Sequence, residues 1–173
     1  MKFAMLPICG DDTILRYSEK DLSFQMLSES DREFILEFGL PLKISDCGDV
    51  KFSFMRSLDK VNINGSQLLK VASGEFGDLV YKSTDCCVYL LVDGELYYVN
   101  SSIRQMIECF SVYKTIHADD PIKESGVSSK KLYSDYAIRG NDLKKAISEI
   151  DSRAAEASVI WLFRIEEVTN GVI

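Results

Sequence analysis

Two apolar runs flank an Asp-Gly dipeptide near the middle of the chain, Val88 to Val92 before Asp93-Gly94 and Glu95 to Val99 after it. Asp-Gly readily takes the positive φ values of a type I′ turn, so the segment predicts a tight β-hairpin. Counting outward from the turn pairs Leu91 with Leu96 and Tyr89 with Tyr98 on one face, and Leu90 with Tyr97 and Val88 with Val99 on the other. Both faces are apolar, which predicts an interior hairpin covered on both sides. The centre of the protein is then given over to packing, and function belongs at the rim.

Leu68 to Ala72, Asp78 to Lys82 and Cys87 to Val92 are strand-like, joined by the short polar links Ser73 to Gly77 and Ser83 to Asp85. A parallel pairing needs a crossover of about a dozen residues or more, so these strands and Glu95 to Val99 form an antiparallel meander. Leu42 to Ile63 adds one or two strands, broken by Gly48 and followed by Asn64-Gly65. Cys86 and Cys87, if both lie in a strand, point to opposite faces, one to the core and one to the edge.

The period changes elsewhere. Ser30-Asp31-Arg32-Glu33 has the S-x-x-E form of a capping box, and a helix is expected over Asp31 to Phe38. Phe34, Ile35 and Phe38 form its apolar stripe, Gly39 supplies a left-handed stop, and Pro41 prevents continuation. After Asn100-Ser101-Ser102, Ile103, Met106, Ile107 and Phe110 share one helical face, with Ser102 and Gln105 as a second capping box. Asp119 to Lys131, with Pro121 and Gly126, is a polar loop. Helices follow over Asp142 to Ile150, led by Asn141, and over Ala154 to Val168, where Trp161, Ile165 and Val168 precede Asn170-Gly171. In the first 28 residues, Thr13 to Tyr17 and Leu22 to Leu27 are short apolar pieces that fit strands or a frayed helix equally.

At 173 residues the chain fits a single domain, 1–173, large enough to bury roughly 70% of the surface its unfolded form exposes. Its 46% hydrophobic and 27% charged content argues against wholesale disorder. No apolar run approaches the about 20 residues that span a bilayer. The apolar start ends at Pro7, before Asp11 and Asp12, so no signal peptide is expected and the location predicted is cytoplasmic. Five cysteines without C-x-x-C spacing fit reduced thiols rather than a disulfide framework or a zinc site. Twenty basic against twenty-seven acidic residues, a net charge of −7, disfavour nucleic-acid binding; the excess either keeps the chain soluble or suits a basic partner.

Residues suited to catalysis are scarce. His117 is the only histidine, so any Ser-His-Asp or Cys-His mechanism depends on it alone. With Asp119 and Asp120 it could ligate a divalent ion, although two aspartates before a proline more often form a solvated turn. No phosphate-binding, zinc-protease or nucleophile-elbow motif occurs, and Gly74-Glu75-Phe76-Gly77 is a hairpin connection. Tyr89, Tyr97, Tyr98 and Trp161 could line a sugar site beside paired carboxylates, but core packing is the commoner use of such rings. Glu29, Asp31, Glu33 and Glu37 gather at the first helix, where they either face the helix dipole or form a partner-facing patch. No catalytic residue, metal or other cofactor is expected.

The order of these segments resembles a known family. A capped helix ending in Phe38-Gly39-Leu40-Pro41 precedes a meander leading to Tyr97-Tyr98-Val99-Asn100-Ser101-Ser102. An amphipathic helix follows, then a tail with Ile150-Asp151, Ala155, Trp161, Glu167 and Gly171. From about Ser30 onward this pattern is similar to the SUKH superfamily, and within it to the branch with an Asp, Ala, Trp and Gly-spaced tail. That family often has a proline directly after the aspartate, where this chain has Ser152.

The resemblance implies an α+β fold, a mainly antiparallel meander flanked by helices, and a binding role without catalytic residues. Many bacterial members are immunity proteins that neutralise a cognate polymorphic toxin, often a nuclease or nucleic-acid deaminase. Smi/Knr-type relatives are regulatory scaffolds in cell-wall or stress signalling. The expectation is a non-enzymatic immunity protein, monomeric or weakly dimeric, that docks an acidic face on a basic toxin surface. Glu33 and Glu37 beside the first helix, and Asp93 and Glu95 at the hairpin tip, are its candidate contacts. The rivals are the regulatory scaffold and a small hydrolase.

Overall fold

The turn at Asp93-Gly94 organises an antiparallel meander. In the computed structural model, which describes residues 13–21, 26–47, 50–118 and 129–172, the main sheet contains β3 (Lys43–Cys47), β4 (Val50–Ile63), β5 (Ser66–Gly74), β6 (Asp78–Lys82), β7 (Cys87–Val92) and β8 (Glu95–Asn100). They lie side by side in chain order, because the links between them are too short for a crossover. β1 (Ile14–Leu15) and β2 (Leu40–Pro41) pair separately. Among the described residues, five helices, α1 (Glu29–Phe38), α2 (Ile103–Ala118), α3 (Ser129–Ile150), α4 (Ser152–Ala157) and α5 (Val159–Asn170), complete the expected α+β fold. None of them is long and apolar enough to cross a membrane.

Asp93 and Gly94 take φ values of 49° and 85°, and Leu91–Leu96, Leu90–Tyr97 and Tyr89–Tyr98 pair as counted from the sequence. Val88 does not face Val99. It pairs with Asn100, because a β-bulge at Val99 inserts one residue into β8. Val99 and Asn100, the two residues of the bulge, are both fully buried. Nor is the hairpin interior: β8 is an edge strand, and Tyr97 is 46% exposed. The helices α2, α4 and α5 pack against β8, whose residues become more buried toward its C-terminal end.

Between the pairs Phe54–Ala72 and Asp59–Lys70 the chain takes five steps along β4 but two along β5, and Val71 is a further extra residue opposite β6. Such bulges bend and twist a sheet, and this one curls. The β4–β5 tip thereby reaches the β7–β8 tip, where Asn64 Nδ2 donates to the Gly94 carbonyl at 3.5 Å. Leu69, Leu79 and Tyr81 on one face and Leu68 and Val80 on the other are all fully buried. The apolar stripe of α2 packs into this core, with Phe110 4.8 Å from Trp161 and 6.1 Å from Phe52, centroid to centroid.

Several helix boundaries differ from expectation. The cap of α1 is Ser28 rather than Ser30: Ser28 Oγ accepts from Asp31 N at 3.2 Å and donates to the Asp31 carboxylate at 2.9 Å. Gly39 ends α1 with the expected positive φ of 78° but with ψ −171°, outside the left-handed helical conformation, while Ser102 Oγ accepts from Gln105 N at 3.0 Å as expected. Residues 119–128 of the expected loop lie outside the described residues, but Ser129 to Lys131 already belong to α3. This helix runs through Gly140-Asn141, and Gly140 is a packing point in it: a Cβ there would stand 2.9 Å from Thr169 Cα in α5. The single helix expected over Ala154 to Val168 is two. Asp151 caps α4, and Ser158, accepting from Trp161 N, caps α5. Cys86 has φ 58° in a turn, so the two-faced strand reading applies only to Cys87, which is buried in β7. Of the N-terminal pieces, Ile14–Leu15 is a strand, Met26 and Leu27 are buried outside regular structure, and residues 22–25 lie outside the described residues.

Candidate functional site

Where the β5–β6 turn meets α5, the surface opens into an apolar cleft. The Gly74 N–H donates to the Gly77 carbonyl at 2.9 Å and closes the turn. Gly74 also lets the Phe52 ring lie against the backbone, since a Cβ would come within 2.6 Å of it. Phe76, at the turn's apex, is 60% exposed. The second wall comes from α5, which buries Ile160, Trp161, Arg164 and Val168. Five consecutive apolar residues, Val159 to Phe163, go round the helix and cannot all face inward, so Val159 and Phe163 are left 45% and 56% exposed. The resulting cleft holds about 350 Å³ between Phe52, Phe76, Leu90, Val159, Ile160 and Phe163, with Lys51, Glu75 and Arg164 at its margin. Arg164 is buried, ion-paired with Glu167, and its guanidinium lies 5.4 Å from the Phe163 ring centroid.

The four expected contact residues fall in two places. Glu95 pairs with Val92 on β7, two residues from the Leu90–Tyr97 pair, and Leu90 is part of the cleft. Gly77, at the foot of the Phe76 turn, abuts the same strand, because a Cβ on it would meet the Leu91 carbonyl at 2.4 Å. Asp93 and Glu95, both exposed, therefore stand at the cleft's end of the hairpin. Glu33 and Glu37 are exposed on α1, which is tied to the other end of β8. That tie is Asp31, whose Oδ1 accepts from Arg104 N in the first turn of α2 at 3.2 Å. Burial pushes the Asp31 carboxyl above the ordinary carboxylate range, although hydrogen bonds from Ser28 and the α2 backbone pull the other way. Of the acidic cluster at the first helix, Asp31 thus joins two helix starts while Glu33 and Glu37 face solvent.

The polar groups of the Asn100 to Trp161 region serve the fold. Asp151 accepts from Ser101 N at 2.7 Å, Asn100 Nδ2 at 3.1 Å and Ala154 N at 3.2 Å, while the Arg153 guanidinium lies 3.9 Å from the Tyr98 ring centroid. Burial drives the Cys109 thiol up to about 12 and raises that of Cys87, the opposite of nucleophile activation. Among the described residues no cluster of three His, Cys, Asp and Glu side chains could hold a metal ion. Asp119 and Asp120 lie outside the described residues, and only the helical backbone of His117 is described.

Phe76 and Phe163 escaped the sequence reading. A large ring between two turn glycines and an apolar run too long for one helix face were the available signals. Comparison with protein-family models, curated proteins and solved structures finds no match to this chain.

Proposed function

We propose that this chain acts by binding another protein and occluding its surface, as an immunity protein does for a toxin. The observation that carries the reading is the cleft of Phe76, Val159 and Phe163, uncovered on a framework of curled sheet and packed helices. Aromatic rings half open to water mark interaction surfaces when grouped, and rigid backbone beneath them limits the entropy lost on docking. The net charge of −7, with Asp93 and Glu95 beside the cleft, favours a basic partner and speeds its capture. Similarity of the Phe38 to Pro41, Tyr97 to Ser102 and Asp151 to Gly171 segments to the SUKH superfamily directs the reading to a cytoplasmic protein. Its target is then a polymorphic toxin whose active or substrate-binding surface it masks.

The test is co-expression with the product of the adjacent gene. Co-purification and rescue of growth from that product are expected; a neighbouring protein that is neither bound nor neutralised would refute the reading. Capture of a cell-wall or stress-signalling protein without rescue would replace it with the regulatory scaffold.

A further inference from the structure

We propose that the cleft seats one bulky apolar side chain, aromatic or branched aliphatic, from a partner surface rich in lysine and arginine. This rests on the binding function above and names the partner's chemistry at that site. At about 350 Å³, the cleft is at the small end of ligand-pocket volumes, roughly 300–1,000 Å³. It suits an anchor residue and its neighbours, the usual centre of an interface hot spot.

Charge around the cleft selects the carrier. Glu75 lines it, Asp93 and Glu95 stand at its hairpin end, and Glu166 follows Phe163 by three residues on the exposed face of α5. Among the described residues that line the cleft, the opposing cation is Lys51, since Glu167 neutralises Arg164. A second copy of the chain would bring the same acids face to face across a two-fold axis. A free fatty acid would carry its carboxylate into the same negative field. An apolar anchor ringed by cations meets no such repulsion.

The probes are short peptides added to the 15N-labelled full chain at low salt: one with a phenylalanine among lysines, one with glutamates replacing the lysines, and one with serine replacing the phenylalanine. The lysine-phenylalanine peptide should shift the amide signals of Phe76, Leu90, Val159 and Phe163, and bind at least about tenfold tighter than either other peptide. Phe76→Ser and Phe163→Ser, which alter half-exposed rings and leave the core intact, should each abolish those shifts. Equal affinity for the lysine and glutamate peptides, equal affinity without the phenylalanine, shifts confined to α1, or no shift at about 1 mM peptide would each overturn the assignment. So would a dimer in sedimentation that Phe163→Ser dissolves. If Phe163→Ser neutralises the adjacent gene's product as well as the native chain, the cleft assignment falls while the binding function stands. If the native chain binds and neutralises no such product, the binding function itself falls.

Discussion

Trp161 Nε1 donates to Asn100 Oδ1 at 2.8 Å, and both residues are fully buried. Asn100 Nδ2 turns the other way, to Asp151 Oδ2 at 3.1 Å, so one amide joins β8, the cap of α4 and the wall helix α5. The bulge at Val99 is what directs Asn100 inward. Asn100→Ala strands a buried indole N–H and takes one donor from a buried carboxylate, and should destabilise by about 3 kcal/mol in denaturant unfolding. Asp151→Asn should cost less than Asp151→Ala, because the amide oxygen still accepts from Ser101 N or Ala154 N. Near-zero losses for Asn100→Ala would show that water replaces the network.

The meander was legible because its signals are local. Asp78 to Lys82 and Cys87 to Val92 match β6 and β7 residue for residue, and Asp-Gly is a turn whatever surrounds it. The bulge at Val99 was not legible, since it answers to Trp161 and Asp151, more than fifty residues away in the chain. The cleft was not legible. The Asp-Gly turn placed Asp93 and Glu95 at an exposed tip, but which apolar residues of Val159 to Phe163 stay outside depends on how α5 meets α3 and the sheet.

Ser28 and Ser30 separate the two readings of α1. Ser28→Ala removes the hydroxyl that accepts from Asp31 N and should cost about 1 kcal/mol. Ser30, exposed within the first turn, should change stability by less than about 0.5 kcal/mol when replaced by alanine. The bond from Ser28 N to Tyr81 Oη survives the first substitution, so the difference reports the Ser28 hydroxyl, through its cap bond and its bond to the Asp31 carboxylate. A larger loss at Ser30 would restore the S-x-x-E box.

Gly140→Ala tests the contact between α3 and α5. Helix propensity alone favours alanine by about 1 kcal/mol. The added Cβ, however, would stand 2.0 Å from Thr169 Oγ1 and 2.9 Å from Thr169 Cα, and backbone cannot rotate away. The substitution should destabilise by about 2 kcal/mol, visible as a lowered Tm. Adding Thr169→Ala should recover only part of the loss, because the Cα clash remains. A raised Tm for Gly140→Ala would mean that the helices separate freely.

Asp31 gives the fold a pH dependence opposite in sign to that of an ion-paired carboxylate. It is fully buried, accepts from Ser28 Oγ and Arg104 N, and has its pKa raised chiefly by burial. A folded pKa above the unfolded one means that the native state holds the proton more tightly. The contribution of Asp31 to stability therefore grows as pH falls through the raised folded value, is complete below the ordinary aspartate value, and is lost as pH rises again. Asp31→Asn does not titrate, so subtracting its denaturant stability from that of the native chain isolates this behaviour from the other acids. The difference should shift in favour of the native chain from neutral to mildly acidic pH. A shift in favour of Asp31→Asn over that range would mean that the donors from Ser28 and α2 outweigh burial, and that the carboxyl is held low instead.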